Sequence, residues 1–499
     1  MYERVFVLEM SGPTLDFVCE RLDHLPNFGM FFANGARSPL VGPLQPVLPT
    51  AFGTLFAGKN PGKTSFFDFF RFPAGGYERF PYSREDLREE TFYERLSDHG
   101  KRVGLLNVPF VFPLPEIDGF VVSGDEGIGE EYAYPAEVLA TLRARDYSVP
   151  FGASYSPGRE MAFFEHTLAV LRMRRDALRE LFADRPWDFG MLTVHLYGEI
   201  LHAFWKFYDP RHPDYRPFAN VFEGRDPFLE TLIAVDELLG EIVKMTGPGG
   251  LVIVMGAWGH RLEHSKVFLN EVLARHGYLR FKRTPSALAK RLMFRLGISK
   301  STAERLAHRL NLWKLFHYKL ARGKRAAVTG ATFLSYHDVD WSRTRAVAMG
   351  YLGQVFLNVE GHRPAGMIPA ASYETERRKL RALLEGLEDP RDGRPVVDRV
   401  WAREEIYSGP GITHAPDLIV HLREGYSAES GIAGGGKLVA PGPLNHSSDH
   451  WNESMFLALG PGIRAGEVRA RLEDVAPTVL HALGVELPPD YDGKVLPIF

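Results

Sequence analysis

A single cysteine, Cys19, occurs in 499 residues, so no disulfide can form within the chain. That scarcity predicts a reducing, cytoplasmic setting, and the start MYERVFVLEM, with no basic segment ahead of a long apolar one, fits the same expectation. No stretch approaches the roughly 20 uninterrupted apolar residues of a membrane helix, so no integral membrane segment is expected. Net charge is also scarce. The 59 Lys and Arg nearly balance the 62 Asp and Glu, with the signs interspersed. This removes any global pull toward nucleic acid or an anionic membrane, so a charged partner has to be recognised locally.

What the chain does have is apolar residues, 45% of the total, over a length that supports one large domain with insertions. Short apolar runs followed by helix-period segments recur at Val5–Leu8 and Thr14–Leu22, at Phe189–Val194 and Glu199–Phe207, and at Leu251–Met255 and Lys266–His276. Val103–Val108, Asp417–Val420 and Met455–Leu459 read as further strands, and Leu472–Leu483 as a closing helix. This alternation predicts an α/β fold, a mostly parallel central sheet with helices on both faces. Ligands in such sheets sit beyond the carboxyl ends of the strands, so the residues just after each apolar run are the ones that matter.

Two stretches break the pattern. Between Tyr278 and Arg325 there are 14 Lys or Arg residues and one acid, Glu304. Residues 278–330 are therefore expected to form an inserted basic helical cap on a domain made of 1–277 and 331–499. Such a cap suits an anionic ligand, an acidic partner or lipid head groups. The plainer alternative is a pair of amphipathic helices burying Leu292, Phe294, Leu296, Leu306, Leu310, Trp313 and Phe316 with solvated charges outside. The second stretch, Ser430–Asn445, is rich in Gly and Pro and reads as a loop at the carboxyl edge of the sheet.

Four segments, VFVLEMSGPTLDFV, LPTAFGTLFAGKNPGKTSFFDFF, LVIVMGAWGHRLEHSKVFLNEVLARHGYL and LEDVAPTVLHALGVELPPDYDGKVL, together resemble the type I phosphodiesterase/nucleotide pyrophosphatase branch of the alkaline phosphatase superfamily. The closest likeness is to its soluble bacterial phosphohydrolase or phosphomutase-like members. The resemblance implies an alkaline-phosphatase-like three-layer α/β/α sandwich. It also implies in-line displacement at phosphorus by a Thr or Ser at a helix N-terminus, with two divalent metals, usually zinc, clamping the attacking and leaving oxygens.

Set against that pattern, the implied acid after the first strand is Ser11, and the implied nucleophile is Leu48. Thr50 lies two residues on, which turns a helical side chain by about 200° and should point it away from phosphorus. The implied D-x-x-x-H reads Gly198 and His202, and the implied Asp-His pair reads Ala257 and Trp258. Only His202 and His450 keep the implied chemistry. Two imidazoles cannot hold two divalent cations, so the zinc pair is predicted absent, no cofactor is expected, and no metal ligand is assigned.

The expected site is instead a pocket for a small organic ligand, for instance a biosynthetic one. Glu199, His202 and His450 are its acid/base candidates, and Ser11, Leu48, Thr50, Trp258, His260, His446 and Asp449 line it. Glu199 and His202 can share a helix face at spacing three, although Glu199 facing solvent with His202 a core histidine reads equally well. His260, Glu263 and His264 spell H-x-x-E-H, but in a loop between strand and helix, where that zinc motif does not work. One improvised metal on His202, His450 and one of Glu199, His260 or Asp449 remains a minor alternative. AGKNPGK lacks phosphate-loop spacing and reads as a helix-ending turn. Three functional readings follow: a repurposed, metal-independent hydrolase, transferase or lyase; a non-catalytic pseudoenzyme docking through the basic insert; and a residual phosphodiesterase or hydrolase using Ser11 or Thr50. Ligand and oligomeric state are not legible.

Overall fold

The structure is a computed structural model, and it describes residues 1–499 apart from 74, 126–129, 150–154, 184, 299–301, 303–305, 307–331 and 433. Its centre is a ten-stranded sheet. Five strands, Leu251–Met255, Val5–Glu9, Phe189–Thr193, Val103–Val108 and Gly119–Ser123, lie side by side and parallel. Antiparallel strands flank them: Glu453–Leu459 joins Leu251–Met255 to Ala36–Val41, and Ala133–Tyr134 closes the other edge. The inner strands are apolar almost throughout because helices cover both faces, so neither side of the pleat meets water.

The period of two sorts their side chains into two cores. Phe6 and Leu8 point to a face covered by the helices Glu160–Ala183, Leu196–Tyr208 and Pro227–Thr246. Val5 and Val7 point to the opposite face, covered by Leu48–Ala57, Phe92–Asp98 and Val475–Ala482. These three layers are the alkaline-phosphatase-like architecture expected from the sequence.

Two smaller sheets depart from the expectations. Asp417–Val420, read as a further strand, is one, Leu418–Leu422, but it lies in a separate four-stranded antiparallel sheet with Ala346–Ala348, Gln354–Leu357 and Val397–Ala402. The segment from Lys266, read as helix, begins inside a ten-residue strand, Gly259–Phe268, and the helix is confined to Leu269–Arg275. That strand pairs with Gly425–Glu429, Val439–Pro441 and Ser448–Trp451, so part of the Gly-rich stretch is sheet as well. Pairing partners far along the chain decided both cases, and helical spacing of apolar residues could not report them.

Within the basic insert, the helix Pro285–Arg295 buries Ala287 and Phe294 against the core of the four-stranded sheet. Those residues are seven apart and lie on one stripe, and Leu292 and Leu296 fall on the far flank. They are 61% and 71% exposed, and Leu306 is 57% exposed, so the inward packing expected of these three does not occur. Leu310, Trp313 and Phe316 lie outside the described residues. Among the described residues no helix is long and apolar enough to cross a membrane.

Candidate functional site: a histidine pocket at the sheet edge

Three chain segments deliver four histidines to the carboxyl edge of the main sheet. His202 sits on the helix Leu196–Tyr208, which follows the strand Phe189–Thr193. That helix can approach closely because two glycines face each other. Gly12 has φ +127°, and a Cβ there would lie 2.8 Å from Leu201 Cδ1 and 3.2 Å from the Gly198 Cα. His260 comes from the strand Gly259–Phe268, and His450 stands directly opposite it on the antiparallel strand Ser448–Trp451. His446 precedes that strand, in a segment tied to the helix by the Ser447 N–H donating to the His202 carbonyl at 2.7 Å. The ring centre of His202 lies 4.2 Å from His260, 4.5 Å from His446 and 5.1 Å from His450.

The rings are held from behind. His202 Nδ1 donates to the Ser448 carbonyl at 2.7 Å, and His450 Nδ1 to the Pro46 carbonyl at 3.1 Å. A carbonyl can only accept, so both Nδ1 atoms carry a proton and Nε2 is the nitrogen each ring turns away from these bonds. His260 Nδ1 meets the Ser448 hydroxyl at 2.9 Å, and its buried Nε2 has no hydrogen-bond partner. Burial and the neighbouring imidazoles hold His260 and His446 well below the usual histidine range and push His450 down to about 3. His260, His446 and His450 are thus neutral nitrogen bases.

Beside it, Trp258 stacks on His450 at 4.9 Å and on His195 at 5.5 Å, with Phe52 against both its ring and His195. Leu48, half-buried at the start of the helix Leu48–Ala57, packs into the same apolar cluster. Thr50 is fully buried and its hydroxyl has no hydrogen-bond partner, so it faces core and not the pocket mouth. Ser11 is buried and donates to the Glu9 carboxylate, which also accepts from the Ala257 N–H at 3.2 Å. Burial raises the Glu9 carboxyl to about 7, although those hydrogen bonds oppose the shift. Burial lowers His195 to about 4.

Several expectations need correction. H-x-x-E-H is not in a loop: it lies along a strand, where alternation sends His260 into the cluster and turns its neighbours elsewhere. Glu263 pairs with Lys266 at 2.7 Å, and His264 meets the Ser265 hydroxyl at 2.8 Å. Asp449, expected to line the pocket, is paired with Arg261 across the strands, one residue off the His260–His450 line. Burial would raise it, yet the Lys266 ammonium holds it below the usual carboxylate range. Glu199 is exposed, and the Ser448 carbonyl holds the His202 ring from behind.

Glu9, His195, Ser448 and Lys206 were missed. An acid ending an otherwise apolar buried strand was a legible signal for Glu9, and a histidine just past a strand end for His195. Nothing local marks Ser448, because its role comes from a strand pairing. Lys206, one turn beyond His202, is buried and pushed down to about 8, with its ammonium donating to the Leu444 carbonyl at 2.9 Å.

No family model and no curated protein sequence matches the chain. Among solved structures it is similar to phosphonoacetate hydrolase from Sinorhizobium meliloti 1021, in complex with phosphonoformate, at 14% identity and a TM-score of 0.53. The match covers 97% of this chain and 96% of that one. At that identity the likeness is one of fold alone, and it runs end to end.

Proposed function

We propose that this chain has kept the hydrolase fold and given up paired-metal phosphoryl transfer, and that it acts on or holds a small organic ligand through its imidazole pocket. The observation that carries this reading is Trp258, buried and stacked between His195 and His450 where the resemblance implies a metal-binding histidine. A second divalent ion needs acidic and imidazole donors around it. The side chains at hand there are Ser11, Leu48, Ala257 and Trp258, and the one carboxylate, Glu9, is already bonded to Ser11 and Ala257. The donor set therefore does not fit a metal pair. Aromatic surface beside neutral nitrogen bases favours a flat or apolar ligand whose polar atoms meet imidazole. In this reading His202, His446 and His450 accept or relay protons. The test is phosphodiester and phosphonate turnover by protein reloaded with zinc, alongside a count of bound metal. No turnover is expected, and two zinc ions per chain with phosphodiesterase activity would overturn the reading.

A second reading is supported by a different place. A cavity of about 590 Å³ is lined by Arg275, Arg280, Arg283, Arg291, Arg295 and Arg343, with Glu271 the one acid among the described residues of its wall. Desolvation and the repulsion of Arg295, Arg280 and Arg283 lower the Arg291 guanidinium, the signature of cations crowded without enough counter-charge. This favours an anionic ligand or acidic segment at the insert. Lys290 is not part of that surface, since it pairs with Asp338 at 3.2 Å, and Arg309 lies outside the described residues. Charge reversal at Arg280 and Arg291 should weaken binding of a polyanion by roughly tenfold or more, and unchanged binding would discard this second role.

A further inference from the structure

Three of the four imidazoles share a geometry that acid/base work does not require. One ring nitrogen from each of His202, His260 and His450 lies within 4.8 Å of the other two. The carbonyls of Ser448 and Pro46 hold Nδ1–H on two rings and leave Nε2 as the nitrogen available to an ion. An Nδ1–H held by an oxygen behind the ring is also how metal-binding histidines are oriented. His260 is 3% exposed, and its Nε2 points into the cluster with nothing to bond. A buried nitrogen base without a partner costs free energy unless something fills the gap.

Gly198 explains how the third ring gains its place. A Cβ at that position would lie 3.4 Å from His260 Nε2, so a longer side chain there would compete for the space the imidazole reaches. Position 198 and position 260 are alternative sources of one donor.

We propose that His202, His260 and His450 form a site for a single divalent transition ion of the zinc type. Bonds of about 2.0–2.1 Å to three imidazole nitrogens close such a triangle with small ring rotations. An all-nitrogen donor set selects zinc, cobalt, nickel or copper over magnesium or calcium, which demand oxygen. Three neutral ligands leave the ion its full charge and a fourth position. His202 and His450 are half-buried, so that position is reachable from solvent. This inference rests on the proposed function in one respect, the exclusion of a second ion by Trp258, and otherwise goes beyond it.

The test uses the full chain stripped with chelator and titrated with Zn2+ alone, with bound metal counted by elemental analysis. The wild type should bind one ion per chain. His260→Ala should weaken binding by more than the roughly 10–100-fold that loss of an outer hydrogen-bond partner costs. Adding Gly198→Asp to His260→Ala should restore saturable binding, which a merely structural role for His260 would not allow. Circular dichroism and melting curves of all variants establish that they fold. No ion in the wild type, one ion indifferent to residue 260, or a folded double variant that regains no ion would each overturn this inference and leave the proposed function standing. Two ions per chain would overturn both.

Discussion

The histidine pocket and the arginine-lined cavity are both walls of nitrogen, yet they suit opposite partners. In the pocket, loss of water and crowding by like groups drive imidazoles to their neutral form, because an imidazolium can shed its proton close to physiological pH. Lone pairs are what remain, and lone pairs bind cations or accept protons. The guanidinium cannot escape in this way, since it stays protonated at any ordinary pH. Crowding at Arg280, Arg283, Arg291 and Arg295 is relieved instead by solvent or by an anion. The same physics, acting on side chains of different proton affinity, yields a site for positive charge at the sheet edge and one for negative charge at the insert.

The comparison can be broken in stages. Trp258→Ala should be the costliest change, roughly 3–5 kcal/mol in denaturant unfolding, because it empties buried space between His195, Phe52 and His450. A loss below about 1 kcal/mol would mean the ring lines an open pocket and does not fill a core. Lys266→Met comes next: it strands Glu263 and Asp449 on the charged side of the same strand pair, and breaking a buried pair costs roughly 3–5 kcal/mol. If stability is retained there, the charged side is wetter than its burial implies, and the contrast with the neutral pocket weakens.

Glu9 sharpens the comparison through pH. Its carboxyl, ordinarily near 4.5, titrates at about 7 in the folded protein, so between those values the folded state holds a proton that the unfolded state has lost. Stability is therefore fully present below pH 4.5 and falls as pH rises to 7, by an amount on the order of 3 kcal/mol. Glu9→Gln should flatten that slope, measured as melting temperature against pH. His195, lowered from 6.5 to about 4, works in the opposite sense, its contribution being lost as pH falls through that window. The smallest expected effect on folding is at the cavity, where Arg280→Glu with Arg291→Glu should shift stability by no more than about 0.5 kcal/mol. Affinity for inorganic polyphosphate should nevertheless drop by roughly tenfold or more, measured by calorimetry at low salt.

Much of the frame was legible in the chain. The strands Val5–Glu9, Val103–Val108, Phe189–Thr193 and Leu251–Met255 announce themselves as apolar runs, since a parallel strand covered on both faces has no polar side to show. His202 and Trp258 could be singled out because they follow strand ends, where such sheets place their ligands, and His450 because the resemblance puts its last histidine there. Spacing on a helix says which residues are neighbours but not which face the sheet will cover, and Glu199 is exposed.

Amino-acid order alone determined the layered α/β frame and the local excess of arginine and lysine. It did so because burial on both faces, side-chain chemistry and charge are written residue by residue. Only the tertiary structure decided that His260 belongs with His202 and His450, that Ser448 and Pro46 fix their tautomers, and that Asp449 joins the charged side. Those outcomes depend on an antiparallel pairing between segments nearly 200 residues apart, in which a shift of one position would exchange the two sides of each strand.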